Sequence, residues 1–395
     1  MQLRSLFIKH LAQTNPEPIG LVIDRADGMF LYDDKNNKYL DLIAGISVSN
    51  VGHQHPNVLE AVKNQVDRNM HVMVYGEIIH DVTVNYAQWL CSKLSPNLSS
   101  VYFVNSGSEA TDTAMKLAKR YTGKSGFVAQ HESYHGSSQG PLSLMDDPYF
   151  TSRYKPLLNG VYYINQNHFK ELLNLDPTRI AAVIIELIQS ERGALLASLD
   201  YVRNVREWCS ENNVLLVIDE IQTGLFRTGV PFAYMHYHIE PDILLLGKAL
   251  GGGMPMGAVI TSEKIMSSFT KNPILGHITT FGGHPVAAAA GLAANSWVSQ
   301  NIDELAINEK SQLFKELLKH PKIERVEGQG LLLACHLNKD INIVEFNQKL
   351  LSKGVFTDWF LFNMNAIRIA PPLIISVEQI HWVCDVILDT LKGYN

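Results

Sequence analysis

VLLVIDEIQTG, residues 214–224, and DILLLGKALGGG, residues 242–253, are the stretches whose reading decides the fold. Each is a short apolar run that ends in polar groups. Val214–Ile218 delivers Asp219 and Glu220, with Gln222 close behind, and Ile243–Leu246 delivers Lys248, followed by Gly251–Gly253. Apolar runs of this length, bounded by turn signals, suit strands of a sheet covered on both faces. Such sheets bind ligands at the carboxyl ends of their strands. An acid and a lysine are therefore expected at two neighbouring strand ends. A lysine held in a pocket can form a Schiff base with a carbonyl compound, and a carboxylate near it can hold a pyridinium nitrogen.

Working outward, Ile180–Ile185 is a further buried strand, and it delivers Glu186. Gln189, Glu191 and Gly193 follow in a loop. Carboxylates at a strand end read either as a helix cap or as elements of a site. Val101–Val104 is a short strand that runs into NSGSEATDTAMKLAKRYTG, residues 105–123. Ser106 with Glu109 forms a capping box, Ala110, Ala114, Leu117, Ala118 and Tyr121 form the buried stripe, and Gly123 stops the helix. The glycine–serine turn at Gly107–Ser108 presents free amides and the positive end of the helix dipole, which suits a phosphate. It lacks the spacing of a Walker loop and of GxGxxG, so ordinary nucleotide binding is not supported. The strand Phe127–Ala129 leads to Tyr134-His135-Gly136. Tyr134 there is either a core tyrosine beside a surface turn or an aromatic lying on a flat cofactor.

Residues 20–41 alternate apolar positions around Asp27-Gly28 and Asn36-Asn37, the pattern of an antiparallel meander. His53 and His55 are metal ligands by type, but no third ligand stands at useful spacing, and Pro56 opens a helix. His71–Glu77 has no clear period. It is either a buried connection or a loop that turns Tyr75 towards a substrate. Thr279, Thr280, Gly282 and Gly283 form a second glycine-rich loop, and Pro285 opens an alanine-rich helix. From Asp303 the pattern becomes α+β: a helix over 303–319, strands within 323–338, a helix over 343–353, a strand over 366–370 and a helix over 377–391. Arg368 sits inside an apolar strand. A buried arginine needs a carboxylate, from the protein or from a substrate, which its planar fork can grip with two hydrogen bonds.

At 395 residues the chain exceeds what one core usually holds, so two domains are expected. The net charge of −6 gives no bulk basic surface for nucleic acid or an anionic membrane. Cys91, Cys209, Cys335 and Cys384 are scattered without metal-ligand spacing and read as free thiols of a reducing compartment, the cytoplasm. The N-terminal MQLRSLFIKHLAQTNP is too broken for a signal peptide and reads as an amphipathic starter helix.

Taken together, DGMFLYDDKNNKYLDLIAGISVSNVGH (27–53), FVNSGSEA (103–110), YHG (134–136), ELIQSERG (186–193), VIDEIQTGLFRTG (217–229), LLGKALGGGMPMGAV (245–259), TTFGGHP (279–285) and IRIAPPL (367–373) resemble the class III aminotransferases. These ornithine-, acetylornithine- and 4-aminobutyrate-like enzymes are pyridoxal-phosphate proteins of fold type I. The resemblance implies an α/β fold, with a large domain around a mostly parallel sheet and a smaller α+β domain built from both termini. It divides the chain into an N-terminal segment 1–56, a large cofactor-binding domain 57–290 and a small domain 291–395. Lys248 stands at the family's Schiff-base lysine, Asp219 at the partner of the pyridinium nitrogen, and Gln222 near the ring's phenolic oxygen. Gly107 and Ser108 match the phosphate turn, and Tyr134 matches the stacking aromatic. Thr280 matches a threonine that reaches the partner subunit's cofactor in a homodimer. Glu191 and Arg368 match a pair that closes or parts with the substrate present. Glu186 joins Lys248 and Asp219 as a catalytic candidate, and Tyr75 joins Glu191 and Arg368 as a substrate-binding one. No metal is expected.

The sequence departs from the family at Leu187, where a proline is usual, at Arg192 for a glycine, and at His284 for an asparagine. Ser137 stands where members acting on acetylornithine or ornithine carry an arginine, which counts against a dedicated acetylornithine enzyme. The expected reaction moves an amino group from an amine or ω-amino acid, such as ornithine, 4-aminobutanoate or lysine, to a 2-keto acid, 2-oxoglutarate first. An aminomutase or decarboxylating transaminase on the same cofactor is the alternative. A non-catalytic regulator is disfavoured by the intact lysine, aspartate and phosphate turn.

Overall fold

The computed structural model describes residues 3–394. A short helix, α1 (Leu3–His10), buries none of its side chains. The meander follows as expected: β1 (Ile23–Asp27), β2 (Phe30–Asp33) and β3 (Lys38–Asp41) pair antiparallel in that order. Asp33 closes the β2–β3 turn, its carboxylate accepting from the Lys35 and Asn37 amides, as Asp side chains do in turns.

After α2 (Pro56–Arg68) and α3 (Asp81–Ser92), the large sheet takes β4 (Ser100–Val104), β5 (Gly126–Gln130), β6 (Val161–Ile164) and β7 (Ile180–Glu186). After a small ribbon of β8 (Ile188–Gln189) and β9 (Leu195–Leu196), it continues with β10 (Leu215–Asp219), β11 (Ile243–Leu246) and β12 (Gly257–Thr261). The spatial order is β4-β12-β11-β10-β7-β5-β6, and only β12 runs against the rest. Both faces are covered, which explains the unbroken apolar runs. Leu216 and Ile218 pack on one face with Val202, Val205 and Trp208 of α5 (Leu199–Glu211). Leu215 and Val217 pack on the other with Ala110, Ala114 and Leu117 of α4 (Gly107–Thr122). Each fully buried leucine, isoleucine or valine contributes roughly 1.5–3 kcal/mol, so the strand ends that carry Asp219 and Glu186 stand on a rigid base.

A second sheet follows in the C-terminal part. β13 (Ile323–Gln329), β14 (Leu332–Leu337), β16 (Trp359–Phe360) and β17 (Asn363–Ile369) pair antiparallel in the order β13-β14-β17-β16. β15 (Val355–Phe356) pairs instead with β3 of the N-terminal meander. One core gathers Met29, Leu40 and Leu42 from the start of the chain with Leu333, Ile367 and Ile387 from its end. The alanine-rich helix, α6 (Pro285–Gln300), passes between the cores. Its Ala287 and Ala288 pack in the large-sheet core, and its Ala294 and Val298 in the second. The buried Asn295 amide donates to the Ala249 carbonyl at 3.1 Å and the Tyr86 hydroxyl at 2.9 Å, while Tyr86 donates to the Leu250 carbonyl at 2.6 Å. Two helices therefore pin the loop that follows Lys248.

Two local readings need correction. The capping box at Ser106 is only half formed: Ser106 Oγ accepts from the Glu109 amide, but Glu109 reaches back to the Asn105 amide at 2.7 Å. The helix expected over 303–319 breaks at Ala306, whose φ of 46° is left-handed. Leu305 and Ile307 are both buried in the second core. In a continuous helix two such positions would point apart, so the break resets the phase. The ribbon β8–β9 and strand β16 have two residues per strand, too few to show a period.

Candidate active site

Parallel pairing of β7 with β10 sets Glu186 opposite Asp219. β11 lies on the other side of β10, and Lys248 follows it with a left-handed φ of 48°, which a non-glycine residue adopts only where its surroundings enforce it. Lys248, Asp219, Glu186, Gln222, Gly107, Ser108, Tyr134 and Glu191 all line one cavity of about 440 Å³, the size of a small-molecule site. Lys248 Nζ donates to Gln222 Oε1 at 2.8 Å, and Gln222 Nε2 donates to Ser47 Oγ at 3.3 Å. Enclosure in protein lowers the Lys248 pKa from its ordinary value. Glu191 opposes that shift, Arg368 adds to it, and Asp219 opposes it again. A lysine so tuned offers a free amine as nucleophile and base.

Behind Asp219 stands a fully buried imidazole. His135 Nδ1 lies 2.7 Å from Asp219 Oδ2, and Asp219 Oδ1 accepts from the Ile221 amide at 2.9 Å. Burial works against the charged ring, but the Asp219 hydrogen bond and charge, with Glu186 beyond, leave the His135 pKa raised. Glu186 uses both oxygens on backbone: Oε1 accepts from the Tyr134 amide at 3.1 Å and Oε2 from the Ser190 amide at 3.2 Å. Burial pushes its carboxyl up to about 7, with His135 pulling it down and Asp219 pushing it further up.

At the start of α4, the Gly107 and Ser108 amides precede any carbonyl of their own helix. Ser108 Oγ lies 2.6 Å from Ser138 Oγ, which also bonds Asp112 at 2.8 Å. Gly136 crosses this helix start with φ 124°, and a Cβ on it would collide with Ser108. Tyr134 stands alongside, its hydroxyl 3.0 Å from Ser137 Oγ.

Arg368, on β17 of the second sheet, is buried and flanked by two carboxylates. Its Nη2 lies 3.1 Å from Glu191, and its Nε donates to Asp358 Oδ1 at 2.8 Å. Burial alone would lower its pKa, but Glu191 and Asp358 outweigh that and raise it. Glu191 is held in turn by the Leu361 amide at 3.1 Å. The predicted pair is thus closed, and Arg192, beside it, bonds Glu132 at 2.7 Å.

Tyr75 and Thr280 do not join this cavity. They meet each other, hydroxyl to hydroxyl at 3.2 Å, beside a separate hollow lined by Tyr75, Ile78, Ile79 and Thr279. His53 bonds Asp41 at 2.9 Å and His55 packs edge-on against Trp297. Among the described residues no group of His, Cys, Asp and Glu could hold a metal ion.

Three site residues carried no signal strong enough to assign from sequence. His135 lies inside Tyr134-His135-Gly136, but its partner Asp219 lies far along the chain. Ser47 closes a turn, Ala44–Ser47, whose four residues all have positive φ. Asp358 depends on the short hairpin that folds β16 onto β17.

The donor set suits pyridoxal phosphate. An amine, a buried carboxylate with its own orienting histidine, an aromatic ring and an amide-rich helix start surround one cavity. The family model for class III aminotransferases matches residues 11–391. The chain is 36% identical to the acetylornithine aminotransferase of Aquifex aeolicus, over 93% of this chain and 96% of that protein. It is 38% identical to the putrescine aminotransferase of Pectobacterium atrosepticum, over 95% and 83% respectively. The crystal structure of the ornithine aminotransferase of Toxoplasma gondii superposes with a TM-score of 0.90 at 28% identity, covering 99% of this chain and 94% of that one. Fold, cavity and relatives agree, and the chain belongs to the class III aminotransferases, pyridoxal-phosphate-dependent enzymes of fold type I.

Proposed function

We propose that this enzyme takes the terminal amino group of a diamine or ω-amino acid and passes it to 2-oxoglutarate. The observation that carries this reading is the closed Glu191–Arg368 pair at 3.1 Å. While closed, it neutralises the cation that would otherwise demand a carboxylate from every donor. Ser137 adds no second cation near Tyr134. Opened, the pair releases Arg368 for the carboxylate of the keto acid. One site thereby accepts two unlike substrates in turn.

Each residue then has a role. The cofactor, when bound, supplies an electron sink for the carbon that loses its proton. Lys248 Nζ would take that proton and return it to the carbon on the far side of the transferred nitrogen, as general base and then acid. Asp219, oriented by His135, keeps a proton on the ring nitrogen. Gly107 and Ser108 would hold the phosphate, Gln222 the ring's phenolic oxygen, and Tyr134 one face of the ring. Glu186 fastens the Tyr134 and Ser190 loops to the strand ends and so keeps the wall of the site in place.

The working unit is a homodimer on this reading. Ile79 is 88% exposed and Ile274 78% exposed, and Met73, Ile78, Leu275, Ile278 and Phe281 lie open on the same two segments as Tyr75 and Thr280. Large apolar patches of this kind mark contact surfaces, and in a dimer through them Thr280 would reach the partner's cofactor. A reducing cytoplasm suits the four free cysteines.

The test is an amine scan. Putrescine, ornithine, lysine, 4-aminobutanoate and acetylornithine are each added to the holoenzyme without acceptor, and loss of the cofactor's visible band is followed. Diamines or ω-amino acids should react fastest, with 2-oxoglutarate restoring the band better than pyruvate. No reaction with any of these amines sinks the proposal, and a clear preference for acetylornithine, whose reacting amine is also terminal, overturns the reading of Ser137. Sedimentation of Ile79→Asp, expected to be monomeric, tests the dimer.

A further inference from the structure

Arg368 presents three nitrogens, and the structure divides them unequally. Nε donates to Asp358 Oδ1 at 2.8 Å. Nη2 serves Glu191 at 3.1 Å and, less closely, the Trp359 carbonyl at 3.3 Å. Nη1 is buried without any partner among the described residues. The guanidinium also lies over the Phe360 ring, 4.4 Å from its centroid. Phe360 therefore sets the plane of the fork, and Asp358 sets its rotation within that plane.

Asp358 is itself well anchored. Its carbonyl accepts from the Arg368 amide at 2.9 Å, and the preceding Thr357 donates its hydroxyl to the Arg368 carbonyl at 2.6 Å. The same turn supplies the Leu361 amide that holds Glu191. One short turn between β15 and β17 thus grips both members of the pair, but differently. Glu191 lines the cavity and is held by Nη2 and one amide. Asp358 lies off the cavity, on the far nitrogen.

We propose that Asp358 is a positioning residue for the acceptor half-reaction: it holds Arg368 through Nε, so that the Nη1–Nη2 edge stays fixed when Glu191 leaves and a keto-acid carboxylate takes its place. The proposal rests on the reading that Arg368 receives that carboxylate. Two consequences follow from the geometry. The incoming carboxylate binds end-on, through Nη1 and Nη2, because the side-on edge is occupied. Arg368 also never becomes an unpaired buried charge during the exchange, a state that is strongly disfavoured. Glu191 is then free to move without the arginine following it.

The test separates position from charge and from fold. Asp358→Ala should raise the KM for 2-oxoglutarate on the order of ten- to hundredfold, the usual result of a misaimed binding group, and at least tenfold more than it raises the donor KM. Glutarate, a dicarboxylate without a reactive carbonyl, should bind the holoenzyme correspondingly more weakly by calorimetry. Asp358→Asn keeps an oxygen for Nε–H and should recover most of the loss. Equal changes in both KM values, no change in either, or an asparagine variant no better than alanine would each overturn the proposal. Arg368→Ala is the control for the underlying reading. If it leaves the 2-oxoglutarate KM unmoved, the carboxylate assignment itself fails. If it raises that KM while Asp358→Ala does not, only the role of Asp358 falls.

Discussion

His135→Leu should destabilise the cofactor-free protein by an amount that depends on pH. The imidazole is fully buried and 2.7 Å from Asp219. A hydrogen bond to a charged group in such a place contributes about 1.5–3 kcal/mol. Leucine fills much of the volume but leaves a carboxylate oxygen without its donor. The His135 pKa is raised from 6.5 in the folded protein, so folding favours the protonated ring. That contribution is fully present below about pH 6.5 and is lost as pH rises through the folded value. Denaturant unfolding of both proteins at pH 6 and pH 9 should show a gap of about 2 kcal/mol that shrinks at the higher pH. A gap that is constant, or that widens towards pH 9, would show that His135 does not carry a proton to Asp219.

Lys248→Ala should keep the fold by circular dichroism and lose on the order of 10²–10⁴ or more in turnover, the range for removing a general acid–base group; activity within tenfold of wild type would remove Lys248 from the proton path. Glu186→Gln mimics the neutral acid at a carboxyl whose folded pKa is about 7 rather than 4.5. Between about pH 4.5 and pH 7 the unfolded chain ionises before the buried carboxyl does, so the wild type loses stability over that window and the variant does not. The difference should therefore shift by up to about 3 kcal/mol in the variant's favour from about pH 4.5 to pH 8, on top of a pH-independent loss because the glutamine NH2 cannot accept from one of the two backbone amides that Glu186 holds; a difference that ignores pH refutes this. Gly136→Ala places a methyl against Ser108 at a φ of 124°, and cofactor affinity by equilibrium dialysis should fall roughly tenfold or more, as a displacement of about 1.4 kcal/mol would give.

Strand ends were easy to read and their partners were not. Val217 and Leu244 announce buried strands because both faces of the sheet are covered, so apolarity is continuous and the first polar residue marks the end. Sequence alone thus places Asp219 and Lys248 near each other. Nothing comparable links His135 to Asp219, because their contact is fixed by the order β10-β7-β5 and not by spacing. Asp358 and Arg368 are close in sequence, yet their pairing depends on how a two-residue strand folds onto its neighbour. Ala306 shows a different limit: periodicity cannot display a left-handed residue that changes the phase of a helix. Tyr75 was expected near the substrate, but within one chain it bonds Thr280 at a distance from the Lys248 cavity. In the dimer proposed above, Tyr75 and Thr280 would act across the subunit boundary, which the geometry of a single chain does not display.

The site draws on two separately cored sheets. Lys248, Asp219 and Glu186 line the cavity from the large one, while Arg368, which meets the cavity wall through Glu191, and the turn that grips it belong to the small one. On the roles proposed above, chemistry and acceptor preference are inherited on different pieces of structure. Mutations that drift through residues 357–363 can retune which acceptor is favoured without disturbing the helices that pin the lysine loop. A lineage can thus diversify its substrates while its reaction stays the same, and laboratory evolution of a new acceptor has a natural place to begin.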